Sequence, residues 1–513
     1  MLGVISLSGC SLFSRTSSGN SNNGSQGTSL ISQNSDTIKT IEIYTTNDIH
    51  GQVYEESGRS GLGKFATYFK ERREETNTLL IDQGDTWQGS IYSNYNHGAL
   101  ITDVMNYIHY DARSVGNHDF DWGTEYIKSN TARSYNRYST PVLAGNVYDF
   151  NFDTKVTGTT QQSSLGVKST IVNLDNGLKV GILGGIGSSQ ITSISSLYVH
   201  DIAFTDHIQF IKDEATHLKN DEKCDVIICS IHTGQEEVMN NNLESYVDLV
   251  LCGHTHKQEY AKEGNLYYVQ NYANTQSFSH ITLTYDVAKK DVTKTFIDRI
   301  TGYKMTTSVS KVDSTIQSLI DSYYEDCNEA ANEVLASNVA NGFPRKSYAE
   351  NVMAKAMCDT AIKEGHDDIV LSLVNDARHD LAMGKWKYED LYQAFPFDNN
   401  IVIAEVTGSE LFKEMHYNYI CRNPKYTDNN FESSQKYKIA VIDYLYYHTD
   451  ENRYYDYFNY TGGTSDIILS KNYRETLRDW LKDNEYNTGN KALDPGDFSN
   501  SVWQFDKSDM LLH

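Results

Sequence analysis

Short apolar runs recur along the chain from residue 40 onward, and each of them ends in a cluster of polar residues. Runs of this length and composition predict strands at 41–45, 79–82, 225–230 and 248–252. The stretches between them are more polar and have the length of helices, at 62–75, 99–109 and 206–220. Strands that alternate with helices predict an α/β fold, in which ligands bind beyond the carboxyl ends of the strands.

The polar clusters that follow these runs contain Asp, His and Asn. They are Asp48 and His50 in IEIYTTNDIHG, Asp85 in LLIDQGDTWQG, Asn117, His118 and Asp121 in RSVGNHDFDWG, His232 in DVIICSIHTG, and His254 and His256 in DLVLCGHTHK. These donors suit Mn²⁺, Zn²⁺ or Fe²⁺, and without a thiolate they do not fit a closed structural zinc site. A single such cluster is more often a group of exposed polar residues that binds nothing, but five in this order predict a metal centre.

A pair of divalent cations is the arrangement that these donors favour. Two cations about 3.5–4 Å apart clamp the attacking and leaving oxygens of an in-line displacement. One carboxylate must then bridge them, and Asp85, which stands alone in its motif, is the natural bridge.

Composition and charge narrow the class of protein. The chain has 513 residues, 39% of them hydrophobic and 12% aromatic, which is typical of a globular protein with more than one domain. The net charge of −24 excludes a protein that coats nucleic acid, because that function needs a basic surface. It does not exclude a small phosphate ligand, since a local site can be positive on an acidic protein.

The N-terminus predicts a lipid anchor. The apolar run from Leu2 to Leu7 and the following Ser8-Gly9-Cys10 resemble a bacterial lipobox, in which Cys10 is lipidated. Residues 11–36 are rich in Ser, Asn and Gly, a composition that stays flexible, so residues 1–36 are expected to be a signal remnant and a tether. An ordinary apolar N-terminus is the alternative. The other six cysteines form no CxxC pair and are expected to be small buried residues.

The five blocks resemble those of the calcineurin-like metallophosphatases and, more narrowly, bacterial 5′-nucleotidases of the 2′,3′-cyclic phosphodiesterase and UDP-sugar hydrolase type. The resemblance implies a four-layer α/β/β/α domain over residues 37–305 with a two-metal centre. One metal would be held by Asp48, His50, Asp85 and His256, and the other by Asp85, Asn117, His232 and His254. His118 and Asp121 match the catalytic dyad of the family.

The second half resembles the substrate-binding part of the same family. The resemblance implies a linker helix at 306–333 and a smaller α/β C-terminal domain at 334–513. By position, Arg345, Asn375 and Arg378 would bind phosphate or substrate, and Phe397 and Phe458 would sandwich a base. Phe397 lies in a segment, 388–408, that resembles the family's Pro-Phe-Gly-Asn block. Two positions depart from the family pattern: the loop before Arg378 is shortened, and Thr464 replaces an Asp that holds the ribose hydroxyls.

These features predict an extracytoplasmic, lipid-anchored phosphoesterase that hydrolyses nucleoside 5′-monophosphates by in-line attack of a hydroxide bridging two divalent metals. His118 would stabilise the charge on the phosphoryl oxygens or protonate the leaving group, with Asp121 orienting its ring. A 2′,3′-cyclic nucleotide phosphodiesterase or a UDP-sugar hydrolase is the first alternative. A surface lipoprotein that binds nucleotides or adhesive partners without turnover is the second. Neither a nucleic-acid polymer nor a membrane-spanning segment is expected.

Overall fold

The computed structural model describes residues 37–149 apart from 57 and 76, residues 165–447 apart from 200 and 429, residue 458, residues 466–498 and residues 511–512. The predicted lipid site at Cys10, the predicted tether and Thr464 lie outside the described residues. Among the helices of the described part, none combines the length and the apolar character that crossing a membrane requires.

Two six-stranded sheets and one two-stranded sheet contain the described strands of the first half of the chain. Its strands in the described residues are β1 (Ile38–Thr46), β2 (Thr78–Asp82), β3 (Ala112–Ser114), β4 (Val142–Leu143), β5 (Val147–Asp149), β6 (Ser169–Asn173), β7 (Lys179–Ile186), β8 (Ile202–Phe204), β9 (Val226–His232), β10 (Leu249–Cys252), β11 (Glu259–Glu263), β12 (Leu266–Gln270), β13 (Ser277–Asp286) and β14 (Asp291–Thr301). One sheet has the order β14-β13-β1-β2-β3-β4, and the other has the order β11-β12-β10-β9-β7-β6. The central strands β1 to β4 pair in parallel, as do β7, β9, β10 and β12.

The apolar positions of these strands alternate between two cores. In β2, Leu79 and Ile81 pack between the two sheets, whereas Leu80 packs on the helical side of its sheet. In β10, Leu251 packs between the sheets, whereas Val250 joins the core formed with the helix at 207–220. Because successive side chains of a strand point to opposite faces, each sheet needs cover on both faces. The four-layer α/β/β/α architecture predicted from the sequence is therefore confirmed.

Helices cover the outer faces of both sheets. In the described residues up to 331 they are α1 (Gly61–Arg73), α2 (Ile91–Asn94), α3 (Ala99–Tyr107), α4 (Thr124–Thr131), α5 (His207–Asn220), α6 (Gln235–Val238), α7 (Gly302–Ser308) and α8 (Ser314–Ala331). The helices predicted at 62–75, 99–109 and 206–220 are confirmed as α1, α3 and α5. Helix α8 starts where the Asp313 carboxylate accepts from the backbone N–H groups of Thr315 and Ile316, which supplies an N-cap.

The second half has a five-stranded mixed sheet with the order β19-β16-β21-β18-β22. Its described elements are β15 (Val334–Val339), α9 (Tyr348–Lys363), β16 (Leu371–Val374), β17 (Gly384–Lys387), α10 (Tyr388–Ala394), β18 (Asn400–Thr407), α11 (Gly408–Met415), β19 (Tyr419–Arg422), β20 (Asn430–Phe431), β21 (Lys436–Ile442), α12 (Asp443–Tyr446), β22 (Ile467–Asn472), α13 (Tyr473–Asp483) and β23 (Leu511–Leu512). Its core joins that sheet to α9, α10 and α13 and also takes in Ile91 of the first half. The two halves are thus in direct contact.

Candidate active site

The predicted ligands meet at one edge of the two sheets, because the strands that precede them are parallel. The loops after β1 and β2 stay paired beyond the strands: the Asp48 N–H donates to the Gly84 carbonyl at 2.9 Å, and the His50 N–H donates to the Asp85 carbonyl at 2.9 Å. Five of the seven predicted ligands have a positive φ: Asp48, His50, Asp85, His254 and His256. A left-handed backbone is uncommon outside glycine and clusters at functional sites. Here it turns side chains from separate loops towards one point.

The first group of donors consists of Asp48, His50 and His256, whose ligand atoms all lie within 4.8 Å of one another. His50 Nε2 lies 3.1 Å from His256 Nε2, and His256 Nε2 lies 3.4 Å from Asp48 Oδ1. His50 Nδ1 faces the Gln88 carbonyl oxygen at 2.9 Å and therefore carries the proton in the neutral ring. The lone pair is left on Nε2, which points into the group.

The second group consists of Asp85, His232 and His254 and satisfies the same 4.8 Å limit. Asn117 joins it, because its Oδ1 lies 3.1 Å from His232 Nε2 and 2.9 Å from His254 Nδ1. His232 Nδ1 faces the Gln83 carbonyl oxygen at 2.7 Å, so its Nε2 also presents a lone pair to the group. A backbone carbonyl that fixes the tautomer and orientation of a histidine is a regular feature of metal ligation.

Asp85 Oδ2 stands between the two groups. It is buried without a hydrogen-bond partner and lies 3.3 Å from His232 Nε2 and 3.7 Å from His50 Nε2. The other oxygen, Oδ1, accepts the backbone N–H of His118 at 2.8 Å. A buried carboxylate oxygen without a hydrogen-bond donor needs an explanation, and a cation on each side supplies one.

The electrostatics of the rings fit divalent cations. Burial lowers the pKa of both His50 and His254 to about 4, so these rings are neutral and their lone pairs are free. Burial also opposes a charge on His232, but the neighbouring Asp85 carboxylate outweighs it and raises the pKa of His232 to about 10. The field that would hold a proton at His232 Nε2 would equally hold a metal cation there. The residues present therefore fit two metal sites that share Asp85.

His118 and Asp121 form a hydrogen-bonded pair beside these groups. His118 Nδ1 lies 3.0 Å from Asp121 Oδ2. Burial lowers the pKa of His118, but the carboxylates of Asp121 and Asp85 outweigh it and raise that pKa above its usual value. A raised pKa keeps the ring protonated closer to neutral pH, which suits a proton donor or a stabiliser of negative charge.

Two cavities between the halves adjoin the metal-ligand candidates. The larger has a volume of about 630 Å³ and is lined by His50, His118, His256, Arg345, Arg378 and Phe397, among others. The smaller has a volume of about 130 Å³ and is lined by Asn117, Asp121 and His254 together with Asn375, Arg378 and Phe397. Four of the five predicted substrate residues therefore lie at the cavities.

The predicted aromatic pair is not assembled in the described residues. Phe397 stacks on the His118 ring, with centroids 4.7 Å apart and planes 23° apart, and the Arg378 guanidinium lies 4.9 Å from the Phe397 centroid. Phe458 is only 5% exposed, belongs to the core of the second half beside Tyr446 and lines neither cavity. Burial of an aromatic ring in a core is the ordinary fate of phenylalanine.

Sequence reasoning missed several residues that position the site. Gln88 accepts from His50 through its carbonyl oxygen and donates its side-chain amide to the Pro396 carbonyl at 2.5 Å. Trp122, next to the dyad, donates to Asp398 at 2.6 Å. Gln88 and Trp122 lie inside the quoted motifs, but contacts made through backbone atoms or across halves leave no pattern in the sequence. Arg474, which donates to the Phe397 carbonyl oxygen at 2.7 Å, lies in none of the quoted motifs.

Gly116 offers a test of how tightly these loops pack. A Cβ added there would lie 2.2 Å from Asp85 Oδ1 and 2.3 Å from the Asp85 nitrogen. Gly116→Ala is therefore expected to displace Asp85, lower catalytic activity at this site at least about tenfold and destabilise the fold by about 1–3 kcal/mol. Activity assays and thermal unfolding would measure both effects. Gly342→Ala is the matched control, since its Cβ would meet nothing closer than 3.5 Å. Equal activity in the two variants would contradict the expectation.

Comparison with known proteins adds to this geometry. Residues 41–258 match the calcineurin-like phosphoesterase family, and residues 330–428 match the 5′-nucleotidase C-terminal domain. The 5′-nucleotidase of Diplobatis ommata is 26% identical over 422 residues, which cover 72% of this chain and 69% of that protein. The trifunctional nucleotide phosphoesterase protein YfkN of Bacillus subtilis is 23% identical over 410 residues, covering 72% of this chain and 27% of that protein.

A solved structure shares the fold. The 5′-nucleotidase precursor from Thermus thermophilus superposes with a TM-score of 0.69 at 17% sequence identity, covering 93% of this chain and 100% of that chain. At this identity the likeness concerns the arrangement of the elements.

Proposed function

We propose that the chain is a calcineurin-like phosphoesterase with a 5′-nucleotidase C-terminal domain and that it hydrolyses nucleoside 5′-monophosphates; the two family matches support this proposal. Membership makes it a metal-dependent hydrolase. The observation that carries the proposal is the position of Asp85 Oδ2 between two groups of ligands, next to the His118–Asp121 pair and beside a cleft that is also lined by Arg345 and Arg378.

The roles of the side chains follow from where they lie. When bound, two divalent cations would supply Lewis-acid activation of water and of the phosphoryl oxygens. Asp48, His50 and His256 would hold one of them, and Asn117, His232 and His254 the other, with Asp85 between them. Mn²⁺, Zn²⁺ and Fe²⁺ all suit this set of oxygen and nitrogen donors.

His118 and Asp121 would act on the leaving group. Burial lowers the pKa of His118, but Asp121, which holds Nδ1, and Asp85 together raise it, and the opposite nitrogen, Nε2, is the one that would donate. In one role, a proton from Nε2 would neutralise the nucleoside oxygen as the bond between that oxygen and phosphorus breaks. In the other, the positive charge of the protonated His118 ring would stabilise the phosphoryl oxygens before the bond breaks.

Arg345 and Arg378 would bind the phosphate from the second half. Arg345 Nη1 donates to the Arg378 carbonyl at 3.2 Å, which holds the two residues together at the larger cavity. Guanidinium groups bind phosphate oxygens with two parallel hydrogen bonds, and an aromatic face such as that of Phe397 stacks a base without strong selectivity. Asn375 adds an amide at the smaller cavity.

A substrate panel tests the proposal. The purified full chain would be assayed with AMP, 2′,3′-cyclic AMP and UDP-glucose in the presence of Mn²⁺ or Zn²⁺. Fastest turnover of AMP is expected. Preference for the cyclic nucleotide or for UDP-glucose would assign the same centre to another phosphoester. Nucleotide binding without hydrolysis of any of the three would overturn the enzyme proposal in favour of a binding protein.

Phe397 and Phe458 are expected to respond differently to truncation. Phe397→Ala should raise KM for AMP about fivefold, the loss of one stacking face, with little change in Tm. Phe458→Ala should lower Tm, because removing a buried phenylalanine costs about 3–5 kcal/mol. Steady-state kinetics and thermal unfolding of both variants would measure this. A raised KM with an unchanged Tm in Phe458→Ala would instead restore the two-ring sandwich predicted from the sequence.

We further propose that the enzyme acts outside the cytoplasm, tethered through a lipid on Cys10. The apolar run, the small residues before Cys10 and the Ser/Asn/Gly tract support this proposal. Metabolic labelling with palmitate should mark the wild-type chain and not Cys10→Ser, and an unlabelled wild-type chain would count against it.

A further inference from the structure

The loop from Phe395 to Asn400, called the strap below, bridges the two halves. Pro396, Asp398 and Asn400 of the strap form hydrogen bonds with the first half of the chain, called the catalytic half below. These bonds are Gln88 Nε2 to the Pro396 carbonyl at 2.5 Å, Asn94 Nδ2 to the same carbonyl at 3.1 Å, Trp122 Nε1 to Asp398 Oδ2 at 2.6 Å, and Asn400 Nδ2 to the Tyr198 hydroxyl at 2.8 Å. Three residues of the strap are thus bonded to the catalytic half.

Arg474 holds the strap from the other side. Its side chain is fully buried in the second half, with the guanidinium 3.5 Å from the Tyr392 ring centroid. It donates to the carbonyl oxygens of Phe395 at 2.9 Å and Phe397 at 2.7 Å and pairs with the Asp398 carboxylate. Asp398 is therefore shared: Oδ1 bonds to Arg474 in its own half, and Oδ2 bonds to Trp122 in the other.

The strap places Phe397, a residue of the proposed site, in contact with His118 of the dyad. Phe397 stacks on His118, and Trp122 directly follows Asp121 in the chain. The Trp122–Asp398 bond therefore ties the loop of the dyad to the loop of the aromatic ring.

We propose that Asp398 is a positioning residue whose bond to Trp122 latches the two halves and sets Phe397 against His118. Arg474 and Asp398 both belong to the second half, so their pairing does not depend on the bond to Trp122. The Asp398 carboxylate is therefore held towards Trp122 whether or not the latch bond is made, and forming the latch requires only the indole N–H to dock. A hydrogen bond to an ion-paired carboxylate is worth more than one between neutral groups, so this single bond contributes measurably to holding the two halves together.

The kinetic experiment below rests on the proposed function, whereas the exchange experiment does not. Trp122→Phe keeps the aromatic ring and removes the donor, and Asp398→Asn removes the charge. Trp480→Phe is the matched control, since Trp480 Nε1 also donates to a carboxylate, Asp359 at 2.9 Å, but within the second half. The two latch variants, their combination and the control would be compared with the wild-type chain.

Hydrogen–deuterium exchange tests the Trp122–Asp398 latch without a substrate. Trp122→Phe is expected to raise exchange in the strap and at 118–123, and to leave exchange in β9 and β10 unchanged. Trp480→Phe should leave the strap unchanged. Wild-type exchange in the strap of Trp122→Phe would overturn the latch, and so would a rise over the whole chain, which would show general destabilisation.

Steady-state kinetics measure the effect of the latch on the hydrolysis of AMP. Each latch variant is expected to lower kcat/KM for AMP about tenfold, the weight of one charge-assisted bond. The double variant should be no worse than Asp398→Asn alone, because both changes break the same bond. Additive losses would overturn the coupling. If Asp398→Asn fails to fold because Arg474 loses its partner, Trp122→Phe carries the test. If the wild-type chain does not hydrolyse AMP, the proposed function fails while the exchange experiment still decides on the latch.

Discussion

Asp85→Asn is expected to abolish metal binding and activity together. Asp85 Oδ2 has no hydrogen-bond partner and faces His50 on one side and His232 on the other, so both proposed metals depend on its charge. Asparagine keeps the shape but offers a neutral oxygen. Loss of several kcal/mol of metal-dependent stabilisation corresponds to a fall in kcat of about a thousandfold or more.

Metal analysis of the purified chain separates this effect from unfolding. We expect about two metal ions per wild-type chain after incubation with Mn²⁺ or Zn²⁺, and less than one in Asp85→Asn. The matched control is Asp248→Asn at the opposite end of β10. Asp248 belongs to neither ligand group, and its carboxylate accepts the Ile227 backbone N–H at 2.8 Å, so loss of its charge should change neither metal content nor rate. Full metal content in Asp85→Asn would refute the shared ligand.

His118→Asn is expected to spare the metals and to lower kcat about 10²–10⁴-fold, the usual contribution of a positioned acid or base. The imidazole lies beside the ligand groups without belonging to either, since its Nδ1 is taken by Asp121. Metal content, KM and kcat measured on the same preparation would show the split. Full activity in His118→Asn would remove the dyad from the mechanism.

The leaving group distinguishes the two roles of His118. A proton donor matters for a nucleoside oxygen, which leaves poorly, and little for p-nitrophenolate, which leaves readily without a proton. If His118 donates, the loss in His118→Asn should be much smaller with p-nitrophenyl phosphate than with AMP. Equal losses would assign it to stabilising the phosphoryl oxygens. His280→Asn is the control, because its ring contacts Glu42 at 2.7 Å away from the cleft and its change should leave both rates intact.

Much of the catalytic half could be predicted from the chain alone. The apolar run of Leu79, Leu80 and Ile81 is a local property, and the structure confirms the predicted strand and buries it on both faces. The strand-end donors were predicted by residue type, and the structure brings them together. Their roles as ligands remain predictions until metal is measured.

The second half was less accessible to prediction. Phe397 and Phe458 have the same chemistry and stand in comparable motifs, yet one stacks on His118 and the other is packed in a core. Nothing local distinguishes them, since the difference lies in which distant residues each one meets. Arg474 was missed for the same reason: it acts on backbone carbonyl oxygens, and these have no identity in the sequence.

By itself, the sequence determined the alternation of strands and helices, the oxygen and nitrogen donors at the strand ends and the resemblance to the calcineurin-like metallophosphatases, because these depend on short-range periodicity and on the chemistry of single residues. The tertiary structure alone decided that Asp85 Oδ2 lies between two groups of ligands and that the strap docks on the dyad loop. Gln88 and Pro396, which bond at 2.5 Å, are 308 positions apart in the chain. Contacts over such separations arise when whole layers pack, and packing depends on all of their surfaces together.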